Sequence, residues 1–290
     1  MRKKIIAAAL SAAIFGLGLG SATLRAQETQ VSKFSLRLYG GASYMSGGDL
    51  NTGLEGYSNY WIDLADAIGY SVSGTFSPAR LGLDFGGDII FQLTPTVGIG
   101  FGAGYLQASK TSTMSFAVSP DTLTQTANPS YHAVPLRLGL FLTLPASPSV
   151  NIILNAGVGY YMAKATSTWS LLDAAGDGES LASDVSANGF GVHGGIAFEF
   201  KLSGRVGLLL EIHGRYAKIG PFTGTGVNAY SGTSETTSGT LYYFELPGMV
   251  SGRTYPVVYV FDTPPTLNAV REAKIDFSGG AFRLGLVIHL

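Results

Sequence analysis

The chain has 290 residues, of which 46% are apolar, 13% charged and 40 glycine, with a formal charge of -1 and no cysteine. That mixture is too apolar for a disordered chain and too poor in charge for an ordinary soluble surface, and its near-neutral balance gives no electrostatic basis for nucleic-acid binding. Disulfides and thiol chemistry are excluded, and although mean hydropathy is +0.26, no segment after the leader approaches the roughly 18 unbroken apolar residues of a membrane helix.

Arg2, Lys3 and Lys4 precede an apolar run over 5–19 and then small residues, the three-part layout of a secretory signal. Removal after Ala26 leaves Gln27 at the mature terminus; removal after Ala22 is the alternative. From residue 34 onward, short segments alternate apolar and polar residues, the period of a strand with two different faces. Over 34–45, Phe34, Leu36, Leu38 and Tyr44 fall on one face, and Ser35, Arg37, Tyr39 and Ser43 on the other. Segment 57–68 has the apolar spacing of a short amphipathic helix. Over 81–93, Leu83, Phe85, Ile89 and Phe91 oppose Asp84, Asp88 and Gln92. Over 97–108, Ile99, Phe101 and Tyr105 oppose a column of Gly98, Gly100, Gly102 and Gly104.

Segment 132–144 sets Leu136, Leu138 and Leu140 against Arg137, and 150–163 sets Ile152, Leu154, Val158 and Tyr160 against Asn151 and Asn155. Segment 189–201 sets Phe190, Val192, Ile196 and Phe198 against His193 and Glu199. Segment 206–219 sets Leu208, Leu210, Ile212 and Tyr216 against Glu211, His213 and Arg215. The eighth, within 273–290, alternates Phe282, Leu284, Leu286, Ile288 and Leu290 with Arg283, Gly285, Val287 and His289. Charges on one face and an apolar row on the other suit a strand with lipid outside and an enclosed lumen inside.

The connections after the second, fourth and sixth segments are short (94–96, 145–149 and 202–205) and carry the Pro and Gly that turns need. Those after the first, third, fifth and seventh run to roughly 35, 20, 25 and 50 residues. This alternation predicts an all-β fold: an eight-stranded antiparallel up-and-down transmembrane β-barrel with short periplasmic turns, long extracellular loops and both mature termini in the periplasm. Within the last connection, 241–246 and 255–261 predict a hairpin above the membrane; counting both as spanning strands gives a ten-strand alternative. The expected order is a signal peptide over 1–26, a periplasmic lead over 27–33 and a barrel over 34–290.

Arg283, Gly285, Ile288 and Leu290 resemble the C-terminal targeting signal of Gram-negative outer-membrane barrels, with Leu290 where that signal most often has Phe. The strand pattern, the IDFSGG and RLGLVIHL terminal stretches and the GGDLN after the first strand extend the likeness. From 34 to 290 the chain resembles the small eight-stranded barrels grouped with the transmembrane domain of outer-membrane protein A. The resemblance implies residence in the outer membrane, contact with its lipid, and delivery by the barrel-assembly machinery through the C-terminal strand. It implies little about activity, since such barrels include anchors, adhesins, conduits and a few lipid-modifying enzymes.

Lumen-facing Arg37, Asp84, Asp88, Arg137, Glu199, Glu211, Arg215 and Arg283 form the most conspicuous candidate cluster. Eight strands enclose little more than their own side chains, so these charges need partners and predict an ion-paired plug. Arg37 and Arg283 meet at the seam between the first and last strands, with Asp84 and Asp88 as the expected partners of Arg37. Tyr44, Tyr105, Tyr160 and Tyr216 predict an aromatic girdle at the outer rim. Asp49, Asn51 and Gly53 open like a calcium loop, but Leu54 stands at its glycine and Tyr60 at its closing glutamate, so no metal and no cofactor is expected. His132 faces the lipid side with no carboxylate at a fixed offset, which argues against a lipid hydrolase. The chain therefore reads as a non-enzymatic barrel with a structural or surface-binding role carried by the first and fourth loops, its ligand unspecified. The competing reading is a conduit for small hydrophobic molecules, which requires an apolar channel in place of a plug.

Overall fold

The computed structural model describes residues 33–118, 121–250 and 252–290. The expected signal over 1–26 and the lead as far as 32 lie outside the described residues. In chain order the elements are β1 (Phe34–Met45), α1 (Asp49–Ala67), β2 (Ser71–Gly74), β3 (Leu81–Gln92), β4 (Val97–Ser109) and β5 (Ser112–Val118). Then follow β6 (Asp121–Ser147), β7 (Val150–Leu172), β8 (Gly178–Lys201), β9 (Val206–Tyr216), β10 (Lys218–Ile219) and β11 (Thr223–Tyr230). The chain ends with β12 (Thr233–Pro247), β13 (Thr254–Phe261), β14 (Asn268–Glu272), β15 (Ile275–Asp276) and β16 (Gly279–His289).

Pairing closes on itself. β1 pairs β3, followed by β4, β6, β7, β8, β9 and β16, and β16 returns to β1 with Ser35 opposite His289 and Met45 opposite Gly279. Every step is antiparallel, so the backbone groups within the cycle find partners and the sheet has no edge there. One interruption has a local cause: the β4–β6 ladder skips between Ala103 and Leu106, where Pro135 of β6 has no N–H to give. The expected turns are tight, with Leu93 N–H donating to the Val97 carbonyl at 2.8 Å and Leu202 N–H to that of Val206 at 2.9 Å.

Among the described residues sixteen strands replace the eight expected, because most of the supposed long loops are further sheet. β6, β7 and β8 run 27, 23 and 24 residues, far beyond the roughly 9–11 that cross a bilayer. Above the cycle they gather β5 and β2 on one side, and β11, β12 and β13 on the other. The expected strand over 206–219 stops at Tyr216, and Lys218 and Ile219 pair instead with Asp276 and Ile275. The last strand begins at Gly279 and not at 273. The expected hairpin is present, with Thr240 opposite Phe261 and Pro247 opposite Thr254.

The helix is longer than the 57–68 expected, because Asp49 to Gly53, read as a loop, forms its first turns. Leu50, Leu54 and Tyr57 share its buried side. It ends where Gly69, at φ +84°, lets the Tyr70 N–H reach back to the Ala65 carbonyl at 2.9 Å. Gly53 and Gly56 bring α1 down onto β13, since a Cβ at Gly56 would stand 2.0 Å from the Pro256 carbonyl oxygen. The main hydrophobic core lies in this upper part, joining Leu50 and Leu54 of α1 to Phe116, Trp169, Phe244 and Val260. A smaller apolar cluster of Ile90, Phe141, Ile153, Ala197, Leu209 and Val287 sits inside the ring near the short turns.

Candidate functional site

Alternation sorts the ring strands as their sequence implies. Leu83, Phe101, Leu138, Val158, Phe190, Ile212 and Phe282 are exposed on the outside, while Arg37, Asp84, Arg137, Glu211, Arg215 and Arg283 are buried inside. Gly100 and Gly102 make the inward room that their neighbours use: a Cβ would lie 2.4 Å from the Phe141 ring or 2.0 Å from the Asp88 carboxylate.

The ring interior is built in three levels. At its centre, Asp84 Oδ2 accepts from Arg283 Nη2 at 2.8 Å and from Arg215 Nη1 at 3.3 Å. Arg283 also reaches Glu211 Oε2 at 3.3 Å, and Asn155 donates to the other Glu211 oxygen at 2.7 Å. Arg137 donates to Asp88 at 3.3 Å and to the Ala103 carbonyl at 3.1 Å. The Tyr39 ring lies between the two cations, 4.3 Å from the Arg283 guanidinium carbon and 5.3 Å from that of Arg137. Tyr39 has room there because the facing residue, Gly285, carries no side chain: its Cβ would meet Tyr39 Cβ at 2.9 Å.

Two of the expected cluster members sit elsewhere in the network. Arg37 meets Glu211 at 3.4 Å and not Asp84 or Asp88, and its guanidinium lies 5.3 Å from the Phe141 ring. It leans toward the apolar floor because Arg215 and Arg283 already occupy Asp84, and Arg137 occupies Asp88. Glu199 meets no arginine among the described residues. It lies near the short turns, bonded to His289 Nε2 at 2.6 Å and Asn151 at 2.9 Å, with the apolar floor between it and the central charges.

His193 and His213 stack inside the ring at 5.4 Å, and His213 Nδ1 lies 3.5 Å from Glu211. His132 faces outward against Tyr105 at 5.6 Å. Among the described residues no group of three or more His, Asp or Glu side chains is placed to share a metal ion. Asp49 and Asn51 are otherwise engaged: Arg271 holds Asp49 through both oxygens at 2.5 and 2.7 Å, and Asn51 exchanges hydrogen bonds with the Ala79 backbone at 2.9 and 3.0 Å. Tyr44, Tyr105, Tyr160 and Tyr216 all point outward. Tyr160 is half-buried against Phe190 at 5.3 Å, and Tyr44 accepts from Arg80 at 3.4 Å.

The third level is the mouth, which α1 fills. Tyr57 packs on Trp169 at 4.4 Å and donates to Glu179 at 3.1 Å, and Trp61 stacks on Trp169 at 6.0 Å. Gln125 donates to Ser58 at 2.6 Å from the opposite wall. Burial pushes both the Tyr57 phenol and the Glu179 carboxyl up from their ordinary values. Toward the far end of the helix, Asp63 accepts from the Tyr255 hydroxyl and from Arg253. The cavity between α1, β7, β8 and β13 measures about 10 Å³, room for one water at most. The sequence points to this mouth only coarsely, through the amphipathic helix expected over 57–68 and the binding role given to the first and fourth loops; Gly53-x-x-Gly56 at helical spacing is a further signal that the sequence reading did not use.

Comparison with solved structures finds OprG of Pseudomonas aeruginosa at 8% identity and TM-score 0.39, covering 89% of this chain and 96% of that one. A major outer membrane protein of Thermus thermophilus aligns at 14% identity and TM-score 0.39, covering 89% and 99%. The outer membrane protease OmpT of Escherichia coli aligns at 10% identity and TM-score 0.31, covering 89% and 94%. No curated protein matches. The family model described as the outer membrane protein beta-barrel domain matches residues 12–240, most of the chain. The chain is thus an outer-membrane β-barrel protein and a member of that family.

Proposed function

We propose that the protein is a closed barrel of the outer membrane with a structural and surface-presenting role. In this reading the eight strands of the closed cycle cross the bilayer, the three tight turns and both mature termini face the periplasm, and the upper sheet with α1 stands outside. The apolar residues on the outside of the ring meet lipid, Tyr44, Tyr105, Tyr160 and Tyr216 mark its outer boundary, and Arg283, Gly285, Ile288 and Leu290 serve delivery by the assembly machinery.

The observation that carries the closed-barrel reading is the filled interior. The apolar floor around Phe141 and Leu209, the charges around Asp84, and α1 in the mouth lie one above another. A conduit for hydrophobic molecules needs a continuous apolar path, and the buried arginines stand across it. The role is non-enzymatic in this reading: the inward histidines are enclosed by the ring, and His132 rests on Tyr105. Planar-bilayer recording with dye uptake tests it. The purified protein should give no steady single-channel current, and cells producing it should take up small hydrophobic dyes no faster than cells without it. Ohmic conductance or accelerated uptake would replace this reading with the conduit.

A further inference from the structure

At the end of the ring that carries the short turns, four inward side chains from four strands form a hydrogen-bonded chain that takes no part in the central charge network. β1 and β16 pair with Ser35 opposite His289, and β7 and β8 pair with Asn151 opposite Glu199. Ser35 Oγ lies 3.0 Å from His289 Nδ1, His289 Nε2 lies 2.6 Å from Glu199 Oε1, and Asn151 Nδ2 donates to Glu199 Oε2 at 2.9 Å. Gly207 of β9 leaves the space that Glu199 uses, since a Cβ there would stand 2.6 Å from Oε1. The backbone beside the imidazole is fixed as well: the His289 N–H donates to the carbonyl of Arg205, in the turn before β9, at 2.8 Å.

The order of these contacts fixes which ring nitrogen carries the proton. A carboxylate only accepts, so the Nε2–H points at Glu199, and Nδ1 is left with its lone pair toward the Ser35 hydroxyl. A hydroxyl on a base, with that base oriented by a carboxylate, is the arrangement that makes a serine nucleophilic. Ser35 is 3% exposed and the His289 side chain 28%, so a small group reaches the hydroxyl by passing the imidazole. On the inner side stands the apolar floor, with Ile90 of β3 directly opposite Ser35. We propose that Ser35 is a modification site, a base-activated serine that accepts a short acyl group from an activated ester. As Oγ bonds to the carbonyl carbon, its proton passes to His289 Nδ1 and Glu199 stabilises the imidazolium; the bond from that carbon to the leaving oxygen then breaks, and the proton goes to the departing alcohol. One ester is broken and one is formed. The modification is stoichiometric, so it adds a reactive group to the barrel and leaves the role proposed above as it stands.

The test treats the folded protein in detergent with p-nitrophenyl acetate and reads the product by intact mass and peptide mapping. The parent should gain one acetyl group, on Ser35, at a rate that rises with pH and levels off once the imidazole is neutral. Ser35→Ala should lose the modification, and His289→Gln and Glu199→Gln should each slow it by about a hundredfold. Heat-shifted gel mobility shows which variants still fold; should His289→Gln fail to, Glu199→Gln and the pH profile of the parent carry the same test. Acetyl groups on lysine or tyrosine with Ser35 unmodified would overturn the inference. So would acetylation of Ser35 in Glu199→Gln at the rate of the parent, or a parental rate that does not change with pH, and either would leave the four side chains the part of closing the ring alone.

Discussion

At the scale of single residues, the interior charges are not equivalent, and the difference follows from who already has a partner. Arg283 serves Asp84 and Glu211 together, so Arg283→Met leaves two buried carboxylates each with one cation fewer. Loss of a buried partner typically costs about 3–5 kcal/mol, because the abandoned charge stays desolvated. Arg37 meets Glu211 only, while Glu211 keeps Arg283 and Asn155, and the Nε and both Nη of Arg37 make no hydrogen bond among the described residues. Arg37→Met should therefore cost much less than Arg283→Met in urea unfolding; equal losses would show that the network acts as one undivided pool. Sequence alternation put both arginines on the inward face, and both are buried, since inward and outward are a matter of parity. It could not choose their partners, because pairing depends on strand tilt and on Tyr39 filling the space opposite Gly285.

At the scale of elements, α1 is a plug seated by close approach. Gly56→Leu would drive a side chain into the Pro256 carbonyl, and the helix would have to lift from β13. The chain has two tryptophans, Trp61 and Trp169, whose stacking at 6.0 Å gives a direct reporter. Near-ultraviolet circular dichroism of this variant should lose the coupled tryptophan signal while the barrel keeps its heat-shifted mobility. A retained signal would mean that α1 is held mainly by Arg271 on Asp49 and Tyr255 on Asp63. The strands of the ring were legible because lipid demands an apolar row at every second position, and 34–45 matches β1 residue for residue. Their continuations were not, because past Met162 the faces exchange character: Lys164, Thr166, Thr168 and Ser170 lie outward while Ala163, Ala165, Trp169 and Leu171 lie inward, so the outward apolar row that marks the ring strands breaks off. The first turns of α1 were missed because Asp49-x-Asn51-x-Gly53 imitates a metal loop, while its actual partners, Arg271 and Ala79, lie far along the chain.

For the whole molecule, the proposed orientation divides one continuous wall into a lipid-embedded ring and an external sheet-and-helix head. Family membership and the exposed apolar band support the membrane location, and the lengths of β6, β7 and β8 require that much of the wall stand clear of a bilayer. Sided labelling of single cysteines in intact cells tests this division directly, since the native chain has none to interfere. Ala175→Cys lies at the exposed tip between β7 and β8, and Ala146→Cys at the exposed end of β6, just before the short turn into β7. A membrane-impermeant maleimide should label Ala175→Cys on intact cells and Ala146→Cys only after the outer membrane is opened. Labelling of Ala146→Cys on intact cells, or protection of Ala175→Cys, would contradict the proposed orientation.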